Sequence, residues 1–176
     1  KNQVVHDIKR RGKYLLFELD KGSVIAHLGM SGSFRVLTEM QAPRPHDHVD
    51  WQMSNGVILR YHDPRRFGCM LYSHDPMQHD LIRVLGPEPL SEEFDGAFLF
   101  DRSRGKKAPV KNFIMDSHVV VGVGNIYAAE SLFRAGIHPL RAAGRVSAAR
   151  YDLLAAAIKV ILAYAIECGG TTLRDF

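Results

Sequence analysis

The first seventy or so residues are broken into short apolar runs, and the pattern changes character beyond them. Runs occur at Tyr14–Leu19, Val24–Leu28, Phe34–Leu37, Val49–Met53, Val57–Tyr61 and Cys69–Tyr72. Between them stand Lys21-Gly22, Ser31-Gly32, Asn55-Gly56 and Asp63-Pro64, the residue types that turns select. Asn55-Gly56 predicts a two-residue hairpin with both turn positions at positive φ. Gln41–Pro45 reads as a polar, proline-containing loop. Several short strands at this spacing predict an antiparallel sandwich or barrel.

From Pro87 and Pro89 onward the punctuation is helical. Ser91-Glu92-Glu93 resembles a helix start, and Pro109 suits the first turn of a helix over Val110–Asp116. A second helix is predicted over Ile126–Ala135, closed by Gly136. Ser147 caps a third over Ala148–Cys168, ended by Gly169-Gly170. Its apolar stripe is Leu153, Leu154, Ile158, Ile161, Leu162, Ala165 and Ile166, with Arg150, Asp152, Lys159 and Glu167 marking a core helix and not a membrane span. The fold class is therefore α+β: an antiparallel β module, sandwich or barrel, followed by an all-α module. The boundary falls near residues 80–90, giving domains of 1–85 and 86–176, and a ligand groove is expected between two such modules.

Composition narrows the function classes. With 46% hydrophobic and 24% charged residues, the 176-residue chain can bury a core and is not disordered. It has no apolar run of bilayer length and no basic-then-apolar leader, so no membrane partner is expected, and a soluble, cytoplasmic protein is. Two far-apart cysteines, Cys69 and Cys168, make neither a disulfide framework nor a zinc site. The net charge of +4 says little by itself. Its distribution says more: Lys9, Arg10, Arg11 and Lys13 form one cluster, Arg65 and Arg66 a second, and Arg102, Arg104, Lys106, Lys107 and Lys111 a third. Each could be a solvated face; together they suit a surface that tracks phosphates.

Three stretches exceed what folding requires. In His27-Leu28-Gly29-Met30-Ser31-Gly32 a methionine stands between glycines, either as a core gap-filler or as an exposed apolar probe. Asp63-Pro64-Arg65-Arg66-Phe67-Gly68 is either a solvated turn or a presentation of guanidinium groups and a ring to nucleic acid. An apolar wedge beside arginine is equipment for entering a duplex and filling the space of an unstacked base. Val119–Val123 and Gly124 join two helices and place Asn125 near the start of the second, where it is an N-cap, a phosphate contact, or both.

In this order and separation the stretches resemble the formamidopyrimidine-DNA glycosylase family, bacterial enzymes that excise oxidised purines. Also matching are Arg10 through Leu15, His46-Asp47-His48-Val49-Asp50, Leu85 through Leu90, Val120 through Glu130, Gly136-Ile137-His138-Pro139 and Gly169 through Phe176, so the resemblance covers essentially the whole chain. It implies that the β module is an incomplete antiparallel β-sandwich and that the α module carries a helix–two-turns–helix DNA-binding motif. It assigns Met30, Arg65 and Phe67 to the void left by the everted nucleotide, with Arg65 on the orphaned cytosine and Phe67 wedging the step. It assigns phosphate contacts to Lys13, His27 and Asn125, further DNA contacts to His46 and Lys106, a buried structural acid to Glu130, and a loop over the everted base to Thr171–Phe176. The resemblance also makes Lys13 the expected proton donor for strand cleavage; taken alone it is a surface lysine.

The implied reaction needs an N-terminal proline as nucleophile and a following glutamate, and Lys1 and Asn2 are neither. The segment is therefore expected to be the interior of a longer enzyme, inactive by itself, binding DNA weakly and with exposed sheet edges. The resemblance puts zinc in a four-cysteine finger of the full-length protein, with no metal or cofactor in this segment. The expected partner is duplex DNA carrying an oxidised purine, bound by a monomer associated with the bacterial nucleoid. Alternatives are the sister glycosylase for oxidised pyrimidines (endonuclease VIII-like), a nonenzymatic DNA-binding module, and a small-anion-binding protein.

Overall fold

The computed structural model describes residues 3–169. The chain divides into two compact units, the first running to Ile82 and the second from Arg83. Lys1, Asn2 and the Gly170–Phe176 stretch, including the expected loop at Thr171–Phe176, lie outside the described residues.

The first unit is a two-sheet antiparallel sandwich. One sheet has the order β1-β2-β3-β7, from β1 (Val5–Arg11), β2 (Tyr14–Leu19), β3 (Ser23–His27) and β7 (Cys69–Ser73). The other has the order β4-β6-β5, from β4 (Ser33–Leu37), β5 (Asp47–Gln52) and β6 (Ile58–His62). Aromatic rings fill the space between the sheets. Phe17 of β2, 2% exposed, meets Trp51 of β5 edge-on at 4.7 Å between centroids and Phe34 of β4 at 5.6 Å. Edge-on contacts of this kind match positive ring edges to negative faces.

The six apolar runs became six strands, shifted by a residue or two. The pattern did not reveal β1, an edge strand whose residues are nearly all exposed and so lack apolar alternation. The Asn55-Gly56 hairpin forms with a different turn. Only Gly56 has positive φ (+83°), and its N–H donates to the Met53 carbonyl at 3.0 Å. Ser54, Asn55 and Gly56 thus make a three-residue loop ending in a left-handed glycine.

The second unit follows a short α1 (Asp80–Arg83) and holds α2 (Gly96–Ser103), α3 (Val110–Met115), α4 (Asn125–Arg134) and α5 (Ala148–Glu167). Its core joins Phe94, Leu99, Ile114, Val120, Leu132, Tyr151, Leu154 and Ile158. The expected helix start at Ser91 is instead a turn. The helix begins four residues later because the Asp95 carboxylate accepts from the Phe98 N–H at 2.7 Å, satisfying a first-turn donor. Gly96 is required there, since an added Cβ would lie 2.6 Å from the Asp152 backbone of α5. Ser147 occupies the N-cap of α5 but makes no capping hydrogen bond from its side chain. Leu153 and Ile166 face solvent, so the buried stripe is narrower than expected and includes Tyr151 and Ala155 instead. Among the described residues no helix is long and apolar enough to cross a membrane.

Candidate nucleic-acid interface

Strand register collects the distinctive loops of the first unit at one end of the sandwich. Tyr14, His27 and Cys69 stand abreast in one sheet; Ser33, His62 and Asp47 stand abreast in the other. The Lys13 turn, the 28–32 loop, the segment entering β5 through His46 and the 63–68 turn all join these two rows. Residues far apart in sequence therefore share one edge.

Glycines set the spacing of two of these loops. Gly29 has φ +63°, and a Cβ there would lie 2.6 Å from the Phe67 carbonyl carbon and 2.7 Å from the Gly68 nitrogen. A Cβ on Gly68 would lie 2.4 Å from the His27 carbonyl oxygen. The backbone of the methionine loop thus packs directly on that of the arginine–phenylalanine turn, which only glycine permits. Met30 is 71% exposed and Phe67 58% exposed, so Met30 does not fill a gap in the core. The Arg65 guanidinium lies over the Phe67 ring at 4.7 Å from its centroid. Arg66 adopts the left-handed region at φ +53°, a conformation uncommon outside glycine and marking a tight reversal.

Asp63 links these loops. It is 1% exposed; one carboxylate oxygen accepts from Ser31 Oγ at 3.0 Å, the other from the Gly68 N–H at 2.8 Å and Tyr61 Oη at 3.1 Å. Burial alone would raise its pKa, but the bonds from Gly68, Ser31, Tyr61 and the Arg65 N–H outweigh it and hold the carboxyl below its usual range. Its N–H donates to the His46 carbonyl at 3.0 Å, and its carbonyl lies 2.9 Å from His48 Nε2.

Lys13 and His27 form a second polar group on the same edge. Gly12, at φ +58°, turns β1 into β2 and leaves Lys13 beside Tyr14. Desolvation pushes the Lys13 ammonium below its ordinary pKa. His27 is lowered as well, by burial first and by the Lys13 charge second. The His27 Nδ1 accepts the Gly29 N–H at 3.0 Å, so the neutral ring carries its proton on Nε2, where it can be donated outward.

His46 has φ +73° and its side chain is exposed. The segment before it is clamped by Arg60, a buried guanidinium that binds both Asp50 oxygens at 2.6 Å and donates to the carbonyls of Gln41 at 2.8 Å and Ala42 at 3.3 Å. Asp47 completes the clamp with His62 and Arg35. Burial opposes its charge, yet bonds from the Arg44 N–H, His62 and Arg35 drive its pKa far down. Sequence reading missed Asp63, Ser31 and Arg60, since no spacing rule marks a carboxylate or guanidinium that bonds to loops distant in sequence.

The second unit places Asn125 as the first residue of α4, with Gly124 as N-cap and no side-chain cap, so the first-turn N–H groups have no side-chain acceptor from the cap. Such a terminus attracts anions. Lys106 is exposed and close enough to Asp116 to help lower its pKa. Glu130 is exposed, contrary to the expectation of a buried acid, because it falls between the inward positions Ala128 and Leu132 of α4. The basic clusters are also less open than composition implied. Lys9 pairs with Glu18 at 2.6 Å, and Arg104 stacks on Phe100 while donating to the Gly144 and Val146 carbonyls.

Comparisons with known proteins agree on a family. Residues 1–70 match the formamidopyrimidine-DNA glycosylase N-terminal domain, and residues 85–176 match the formamidopyrimidine-DNA glycosylase H2TH domain. The formamidopyrimidine-DNA glycosylase of Stenotrophomonas maltophilia is 60% identical over 174 residues, 99% of this chain and 64% of the relative. The crystal structure of the MutM (Fpg) protein from Thermus thermophilus superposes with a TM-score of 0.89 at 39% identity, over 99% of this chain and 65% of that one. The Lactococcus lactis enzyme in complex with FAPY-dG-containing DNA gives 0.88 at 34% identity, over 97% and 65%. The chain spans about 64% of the length of the curated relatives it matches. It belongs to the formamidopyrimidine-DNA glycosylase family.

Proposed function

We propose that the full-length protein is a base-excision DNA glycosylase and AP lyase that removes oxidised purines, 8-oxoguanine and formamidopyrimidines, from duplex DNA. The observation that carries the reading is the convergence of exposed Met30 and Phe67, with Arg65 over the ring, from two loops packed backbone to backbone. Two apolar side chains and a guanidinium on one edge suit the gap left by an everted nucleotide, whose unstacking costs a few kcal/mol that refilling partly offsets. Lys13, His27 and His46 on the same edge would engage backbone phosphates, with the outward Nε2–H of His27 as donor. Asn125 and Lys106 would do so from the helical unit. A related enzyme solved on FAPY-dG DNA supports duplex DNA as partner.

The reaction in this reading is attack by an amine on the sugar C1′. The C1′–N bond to the base breaks and the base leaves with a proton from a general acid; the amine then loses its proton as the C1′–O4′ bond opens and O4′ is protonated, leaving the sugar as a ring-opened imine. The imine draws electrons from C2′ as its proton is lost, so the C3′–O bond breaks; loss of a C4′ proton from the conjugated imine then breaks the C5′–O bond, each phosphate leaving with the bonding pair. By the family resemblance, a proline amine and an adjacent glutamate of the full-length protein would serve the first step. Desolvation that lowers the Lys13 pKa makes its ammonium a somewhat stronger acid, which supports Lys13 as donor to a departing phosphate. Zinc would be held elsewhere in the full-length protein. Among the described residues no group of three His, Cys, Asp or Glu could hold a metal, and half-buried Cys69 and exposed Cys168 lie in different units.

The test is incubation of the full-length protein with duplexes bearing 8-oxoguanine or thymine glycol, with borohydride to trap the imine. Trapping and strand cleavage on the 8-oxoguanine duplex are expected. Preferential action on thymine glycol, or none on either, would refute the reading.

A further inference from the structure

We infer that Asp63 is a positioning residue for opposite-base recognition, holding the Met30 loop and the Arg65–Phe67 turn in one fixed arrangement. This deepens the proposed function and rests on it. The carboxylate stands between the loops and binds each with a different oxygen: Ser31 Oγ of the methionine loop on one, the Gly68 N–H closing the other turn on the second. The same residue's backbone ties in the third segment of the edge through the His46 carbonyl and His48 Nε2. Apart from this bridge the two loops meet by backbone packing at Gly29 and Gly68, which limits how near they come without fixing their register.

Recognition of an orphaned base is demanding of such alignment. The Watson–Crick edge of cytosine offers two adjacent acceptors, O2 and N3, to one guanidinium. Adenine offers only N1 beside a donor amine. Arg65 can discriminate between them only if its donors are held in the plane of the base, and a good bidentate pair discriminates by about fivefold to a hundredfold. A guanidinium on a turn loosened from its neighbour would hydrogen-bond either base. Two groups constrain the turn: the Phe67 ring, whose centroid lies 4.7 Å from the guanidinium, and Asp63, which accepts the Gly68 N–H. Of these, Asp63 is the one that also hydrogen-bonds the loop that carries Met30, through Ser31 Oγ.

The experiment measures single-turnover cleavage of 8-oxoguanine duplexes with cytosine or adenine opposite, in the full-length protein, for Ser31→Ala, Ser31→Thr, Asp63→Asn and Ile25→Val. Ser31→Ala removes one arm of the bridge and leaves the buried carboxylate with its other donors. It should lower the cytosine-over-adenine ratio by about fivefold, and Ser31→Thr, which keeps the hydroxyl, should restore the ratio to within about twofold. Asp63→Asn should erase most of the preference; if it fails to fold, the Ser31 pair decides. Ile25→Val trims a fully buried residue of the same unit and should cost stability without moving the ratio. The inference is overturned if Ser31→Ala keeps the ratio, or if Ile25→Val erodes it as much. A wild-type protein that cleaves neither duplex would overturn the function itself, an outcome distinct from a cleaving enzyme whose preference ignores Ser31.

Discussion

Replacing Gly29 by alanine tests the juxtaposition of the two probe loops without any assumption about DNA. Two separable costs act at this position. The backbone is at φ +63°, where a Cβ costs about 1 kcal/mol relative to glycine. The new methyl would also lie 2.6 Å from the Phe67 carbonyl carbon and 2.7 Å from the Gly68 nitrogen, backbone atoms that cannot rotate away. Relieving that overlap means parting the loops or bending the strands that hold them, a further cost of about 1–3 kcal/mol. Gly56 supplies the control, having φ +83° with nothing within 4 Å of the added Cβ, so Gly56→Ala incurs the backbone cost alone. Thermal melts of the full-length protein, followed by calorimetry, should show Gly56→Ala lowering the transition of the β unit by about 4–8 °C. Gly29→Ala should lower it by about twice that or more. Equal shifts would mean that the methionine loop does not rest on the Phe67–Gly68 backbone, and the convergence of Met30 with Phe67 would fall with it.

Met30→Ala and Phe67→Ala should separate stability from function: both side chains are more than half exposed, so folding stability should change by no more than about 0.5 kcal/mol, while cleavage of an 8-oxoguanine duplex falls at least about tenfold. Loss of stability comparable to a core truncation would refute the reading of these side chains as probes. His27 should leave a mark on the pH profile. Its folded pKa lies below 6.5, so the unfolded chain takes up the proton first and stability declines as pH falls from that value toward the lowered one; His27→Gln should flatten this portion of a denaturation series. A DNA phosphate at Nε2 would raise that pKa, so binding should take up a proton and tighten as pH falls, with isothermal titration in buffers of different ionisation enthalpy as the check. Lys106→Ala should reduce the slope of log affinity against log salt by about one without altering lesion preference, and an unchanged slope would remove Lys106 from the phosphate contacts.

How far the sequence revealed this site follows from the range of the forces involved. Alternation of apolar residues reports burial on one face of a strand, so the six internal runs were legible and the edge strand β1, exposed along nearly its whole length, was not. Glycine flanking Met30 reported a backbone constraint, but its cause lay 38 residues away at Phe67, a relation that only strand register creates. The same limit explains why Asp63 went unread. An aspartate before proline is an ordinary turn residue, and its partners Ser31, Tyr61 and Gly68 come from three segments. Glu130 failed in the opposite direction. A family pattern marked it as buried, whereas the inward stripe of α4 runs through Ala128, Ser131 and Leu132 and passes it by. Met30 and Phe67, the residues proposed to enter DNA, sit on exposed loops and stand out as chemically odd for their surroundings. Residues that position them are buried, satisfied and ordinary in type, and they become visible only when the hydrogen bonds are traced. For this reason the sharper test of the site is Ser31, a residue of no distinction in the sequence whose hydroxyl is the link between the methionine loop and the buried carboxylate.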